Sequence, residues 1–85
     1  MRPAAQHPSL SDLARFIVQS IVDEPEAVFV TESDEEDRPA LLIEVAPEDQ
    51  GAVIGRQGRT IRAIETVLRA AAGSDPVPEL EVTGG

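Results

Sequence analysis

Two glycines three residues apart mark the segment of this sequence that is best suited to hold an anion. They lie in the run Val53-Ile54-Gly55-Arg56-Gln57-Gly58-Arg59-Thr60-Ile61. Because glycine has no Cβ, such a pair allows a tight turn with unusual backbone angles and lets a ligand approach the backbone closely. Gly58 also stands where a long helix is predicted to begin, and the free N–H groups of a helix N-terminus favour an anion. The spacing therefore predicts a loop that cradles phosphate.

Arginine side chains add positive charge around this loop. Arg56 lies within it, Arg59 follows it directly, and residues 51–73 hold four arginines and one acid, a net charge of +3. The rest of the chain carries −12, which gives a total of −9 and a pI near 4.3. Acidity argues at first against a nucleic-acid partner, because phosphate binding depends on basic surface. The uneven distribution instead confines any such binding to one face.

Two readings other than a binding site remain open for this segment. The glycines can serve only as the junction between two helices. The stripe of Arg59, Arg62 and Arg69 can be an ordinary solvated helix face, and Glu65 can form an ion pair with Arg69 at i+4 that uses part of its charge. The distal end of the stripe is therefore a weaker candidate than the loop itself.

Hydrophobic periodicity predicts the elements that position the loop. In order, they are a helix that starts with a capping box at Ser9 and stops before Pro25, strands 27–31 and 40–45 joined by the acidic linker 32–39, a short helix 47–54, a longer helix 58–72 and a strand 79–83. The order α-β-β-α-α-β predicts an α+β fold in which three helices pack on one face of a three-stranded sheet. We expect one domain over residues 9–83, preceded by a disordered tail at residues 1–8.

The same patterns predict which side chains form the core. In the second strand Leu41, Ile43 and Val45 share one face, and its continuously apolar centre indicates the central strand. The apolar face of the longer helix comprises Ile61, Ile64, Leu68 and Ala71. We also expect both phenylalanines, Phe16 and Phe29, in the core.

Composition excludes several classes of function. There is no cysteine, so a disulfide scaffold and a thiolate metal site are impossible. His7 is the single histidine and no lysine follows the glycines, so neither a nucleophilic set nor a P-loop is present. The acidic run 32–37 lacks the spacing of a calcium loop. We therefore expect no enzyme activity, cofactor, metal or small-molecule substrate. Without an apolar run of signal or membrane length, we expect a cytoplasmic protein with no membrane partner.

The hallmark Val-Ile-Gly-x-x-Gly-x-x-Ile of residues 53–61, set in this order of elements, resembles the KH domain family in its type II arrangement. Residues 45–59, together with Ala63-Ile64 and residues 67–72, are similar to the small bacterial single-KH proteins, and the resemblance covers residues 10–82. It implies that the loop clamps about four nucleotides of single-stranded RNA or DNA. The candidate RNA-binding residues are Val53, Ile54, Gly55, Arg56, Gln57, Gly58, Arg59 and Arg62. The bases would then lie in a groove lined by Val53, Ile54, Ile61 and Ile43.

The resemblance also implies partners and a cellular role. It implies a cytoplasmic RNA chaperone or post-transcriptional regulator that forms a homodimer and pairs with a larger KH-containing protein of the KhpB or Jag type. The alternative is a KH-like protein-interaction module with little RNA affinity, which would dimerise through Val53 and Ile54 or through the edge strand 27–31. A chain this small has a marginal core, so a dimer interface would add useful buried area.

Overall fold

The computed structural model describes residues 9–35 and 38–85, and within them it contains three α-helices and one three-stranded sheet. The elements are α1 (Leu10–Ile21), β1 (Phe29–Glu35), β2 (Arg38–Glu44), α2 (Gln50–Ile54), α3 (Arg59–Ala72) and β3 (Glu79–Thr83). Short 3-10 turns span Pro25–Ala27 and Pro47–Asp49, and a turn of different geometry spans Arg56–Gly58. This confirms the predicted α+β fold of the type II KH kind. The tail at residues 1–8, with His7, lies outside the described residues.

The sheet places β2 in the centre, as its apolar run predicted. β1 pairs with it antiparallel, from Phe29 opposite Glu44 to Glu35 opposite Arg38. β3 pairs with it in parallel, and Ala40 lies opposite Glu79. A parallel neighbour requires a crossover connection, and α2 and α3 supply it. The glycine loop therefore lies within the crossover.

The core is built from aliphatic side chains of all three helices and the sheet. Its members are Ala14, Val18, Val22, Val28, Leu41, Ile43, Val45, Val53, Ile64 and Leu68. The predicted buried face of β2 is confirmed, since Leu41 and Ile43 are buried while Leu42 and Glu44 are exposed. Ser9 caps α1 as predicted, and its hydroxyl accepts a hydrogen bond from the Asp12 N–H at 3.1 Å. No helix among these residues is long and apolar enough to cross a membrane.

The predicted bounds of the β1–β2 hairpin were wrong. Ala27 ends a 3-10 turn, the first strand begins at Phe29, and residues 32–35 and 38–39 of the supposed linker belong to the two strands. An antiparallel ladder is held by backbone groups and can continue where both faces are polar, which hydrophobic periodicity does not detect. Glu36 and Asp37 lie outside the described residues.

The predicted burial of both phenylalanines was also wrong. Phe16 is 67% exposed and Phe29 is 57% exposed. Phe16 is two residues from both Ala14 and Val18, about 200° around the helix from each, so it points away from the core. Phe29 lies between two inward-facing valines of an extended segment, and alternation turns it to the opposite face. Helical periodicity also predicted Ala71 on the buried face of α3, but this residue is exposed in the last turn of the helix.

Candidate nucleic-acid interface

The loop between α2 and α3 has the left-handed backbone that its glycines predicted. Gly55 ends α2, with its N–H donated to the Gly51 carbonyl at 2.8 Å, and has φ 80° and ψ 168°. Gln57 (φ 58°) and Gly58 (φ 75°) both adopt positive φ. The Gly58 N–H donates to the Gly55 carbonyl at 3.1 Å and closes the turn. The chain thus reverses tightly before α3 begins at Arg59.

The two glycines are required for different reasons. A Cβ on Gly55 would come within 2.7 Å of both the Cβ and the backbone N of Thr60, so only glycine lets the loop pack against the first turn of α3. A Cβ on Gly58 would lie 3.2 Å from Nη1 of Arg62, the tip of a flexible side chain. The guanidinium group of Arg62 therefore lies beside the loop, one helical turn beyond it.

The arginines of this surface form no ion pair with any acidic side chain that the structure describes. Arg56, Gln57, Arg59 and Arg62 are all exposed. Gly58 provides no side-chain cap for α3, and the first turn of the helix carries no acid. Among the side chains of residues 9–34 and 38–85, the one ion pair joins Arg38 to Glu79 at 3.9 Å, and the possible pair of Glu65 with Arg69 is not formed. An incoming phosphate would meet exposed arginines at the positive end of the α3 dipole.

The apolar side of the predicted groove is smaller than the sequence suggested. Val53 and Ile43 have no exposed surface and belong to the core. Their side chains cannot contact a base in this structure, which corrects their assignment as lining residues. Ile54 and Ile61 are half-buried and border the loop from the ends of the two helices. They are the apolar side chains beside the loop that retain accessible surface.

One residue that positions the site was missed by the sequence argument. Asp49 is only 4% exposed, and its carboxylate accepts hydrogen bonds from the N–H groups of Asp23 at 3.2 Å and Glu24 at 3.1 Å. These bonds tie the start of α2 to the segment after α1. The sequence placed Asp49 in a first helical turn, and nothing in the local pattern indicated partners 25 and 26 residues away. No group of three metal-ligating side chains occurs in the part of the chain that the structure describes.

Comparison with known proteins identifies the family to which these features belong. The model of the KH domain of KhpA and KhpB matches residues 11–82, which is most of the chain. The chain belongs to the KhpA/KhpB KH-domain family. This is not an enzyme family, which agrees with the expected lack of catalytic activity. No solved structure matches the chain significantly.

Several bacterial relatives are similar over about three quarters of this chain. "RNA-binding protein KhpA" of Clostridium perfringens is 48% identical over 63 residues, which cover 74% of this chain and 84% of the relative. The protein of that name from Thermotoga maritima is 42% identical over 64 residues, 75% of this chain and 85% of its own. That of Bacillus subtilis is 42% identical over 62 residues, 73% and 76% of the two chains. The resemblance inferred from the Gly-x-x-Gly hallmark is thereby confirmed.

Proposed function

We propose that this KH domain binds single-stranded RNA through residues 55–58 and the first two turns of α3. The support is threefold: a left-handed glycine turn, exposed arginines that form no ion pair within the described part of the chain, and relatives that are named RNA-binding proteins. The observation that carries the proposal is the placement of three exposed arginines, Arg56, Arg59 and Arg62, in the turn and the first helical turn of α3, whose N-terminus has no side-chain cap. Elsewhere the acidic surface repels RNA, so binding is confined to this face.

The proposed contacts favour backbone recognition over base recognition. Arginines and helix N–H groups contact phosphates, which fix the position of a strand without reading its sequence. The half-buried Ile54 and Ile61 offer apolar edges to bases, and neither phenylalanine is placed in the predicted groove. We therefore propose weak, sequence-tolerant and salt-sensitive binding. Such a protein suits a cytoplasmic RNA chaperone or post-transcriptional regulator that works with a KhpB- or Jag-like partner.

The test is a double substitution within the loop, Arg56→Asp with Gln57→Asp. Arg15→Asp with Gln19→Asp on α1 is the matched control, because it makes the same change of charge and both variants keep the glycines. Affinity for a fluorescent octauridine RNA at low ionic strength is measured by anisotropy, and folding is checked by circular dichroism. We expect the loop variant to lose binding and the control to keep most of it. Unchanged affinity in the loop variant, or equal losses in both, would contradict the proposal.

A second candidate function is protein interaction, and it is favoured by the exposed Phe29. This residue lies on the edge strand β1, on the face of the sheet opposite the helices, diagonally from the exposed Leu42. A homodimer, or a heterodimer with a KhpB- or Jag-like protein, would cover this surface, whereas the buried Val53 offers none. Sedimentation of the protein at rising concentration, with and without the RNA, separates the two functions. A strict monomer counts against the dimer, and no RNA complex at low salt leaves only this second candidate.

A further inference from the structure

A cleft lies at the opposite end of the domain from the glycine loop. There Leu10, the first residue of α1, lies beside the β1–β2 hairpin, and the chain returns from α3 through Pro78 to begin β3. β2 runs from this end toward α2, so the length of the central strand separates the cleft from the loop. Its volume is about 540 Å³. Its main lining residues are Leu10, Glu32, Asp34, Pro39, Leu41 and Pro78.

The lining combines an apolar floor with an acidic wall. Leu10, Leu41 and the two prolines form the floor. Glu32 pairs in register with Leu41, and Asp34 pairs with Pro39, so both acids lie on the sheet face that carries the core. Farther along β1 this face packs against α1, whose first residue, Leu10, lines the cleft. Both carboxylates are exposed beside this apolar surface.

No cation of the described residues neutralises these carboxylates. Neither Glu32 nor Asp34 lies within 4.0 Å of an arginine in residues 9–35 and 38–85, and the nearby Arg38 is directed to Glu79. A nucleic acid is a poor ligand here, because its phosphates would meet uncompensated negative charge. A long cationic side chain fits instead, since its aliphatic stem can cover the floor while its head group reaches the carboxylates.

We propose that this cleft binds an extended peptide segment of a partner protein in which an arginine or lysine stands next to an apolar side chain. The volume falls within the range of about 300–1,000 Å³ typical of ligand sites. The charge complementarity is supported by the whole molecule, because the chain outside residues 51–73 carries −12 and attracts basic segments from a distance. This interaction is separate from the proposed RNA contact, and the two can occur at once on one domain.

The experiment is a titration of the isotope-labelled full chain with a blocked hexapeptide of alternating arginine and leucine, followed by backbone amide NMR. We expect shift changes to centre on Leu10, residues 32–34 and residues 40–41. A hexapeptide of alternating arginine and serine has the same charge without the apolar groups, and we expect it to bind several-fold more weakly. Equal binding of both peptides would overturn the proposal, because the apolar floor would then contribute nothing.

Paired charge variants test the acidic wall. Glu32→Gln with Asp34→Asn should weaken binding of the arginine–leucine peptide about tenfold through loss of two charge-assisted contacts. Glu44→Gln with Glu81→Gln removes the same charge from the opposite face of the sheet, and the affinity should stay within about twofold. Equal weakening by both pairs, or shift changes spread evenly over the surface, would show a nonspecific attraction and refute the site. RNA is absent from every arm, so the outcome does not depend on the proposed function.

Discussion

Replacement of Gly55 by alanine should be the most damaging single-methyl change in the loop. Its angles, φ 80° and ψ 168°, lie in a region that is essentially restricted to glycine, which costs another residue about 1–3 kcal/mol. The new Cβ would also come within 2.7 Å of the backbone N of Thr60, an atom that cannot move without the start of α3. We therefore expect the free energy of unfolding to fall by about 3 kcal/mol or more. Urea denaturation monitored by circular dichroism measures it.

Two other glycines of the same segment provide the controls. Gly58→Ala places a residue at φ 75° and ψ 17°, where the left-handed penalty is about 1–2 kcal/mol and only a mobile guanidinium must shift. Gly51→Ala lies in α2 with nothing within 4 Å of the added methyl, and it should stabilise by about 0.4–1 kcal/mol. The expected order of stability is therefore Gly51→Ala, unmodified protein, Gly58→Ala, Gly55→Ala. A Gly55→Ala variant as stable as Gly58→Ala would refute the geometry of the loop.

Three further measurements examine the core, the positioning of α2 and the charge of the interface. Asp49→Ala should lower the free energy of unfolding by about 2–4 kcal/mol, because two backbone N–H groups lose their acceptor. Asp49→Asn keeps one acceptor and should lower it by about half as much. Equal losses for the two variants in chemical denaturation would contradict the two hydrogen bonds to Asp49. Phe16→Ser should change the free energy of unfolding by less than about 0.5 kcal/mol, whereas Leu68→Ala should lower it by about 2–5 kcal/mol. Similar losses for the two variants would mean that Phe16 is buried. The logarithm of RNA affinity should fall with the logarithm of salt concentration at a slope near −2, because about three phosphates are neutralised. Arg59→Gln should make this slope shallower by about 0.7. A slope near zero would exclude phosphate contacts.

The fold was largely predictable because its determinants are local. The capping box at Ser9, the glycines around the loop and the apolar period of α3 each fix an element through bonds or packing within a few residues. The central place of β2 followed from its continuous apolar run, although Leu42 proved to be exposed on the outer face. The apolar run of β2 therefore predicted the central position correctly, although only one face of the strand is buried.

The errors came from features that depend on distant residues. Glu32 and Asp34 look like loop residues by composition, but cross-strand backbone pairing keeps them in β1. Phe16 and Phe29 were assigned to the core by residue type alone, whereas the period of the helix and the alternation of the strand turn them outward. The role of Asp49 depends on hydrogen bonds across 25 residues of sequence, which no local pattern specifies. At the candidate interface, the glycine turn and the arginines followed from spacing, whereas the complete burial of Val53 required the packed structure.

The most direct test of the central claim is to map the RNA on the unmodified protein, residue by residue. Backbone amide NMR spectra of the labelled chain are recorded while octauridine RNA is added at low salt. We predict that the largest shift changes fall on residues 54–62, that they shrink as salt is added, and that Glu32, Asp34 and the outer face of the sheet stay unchanged. Changes centred on Phe29 and Leu42, or none at all near Gly55 to Arg59, would contradict the proposed interface.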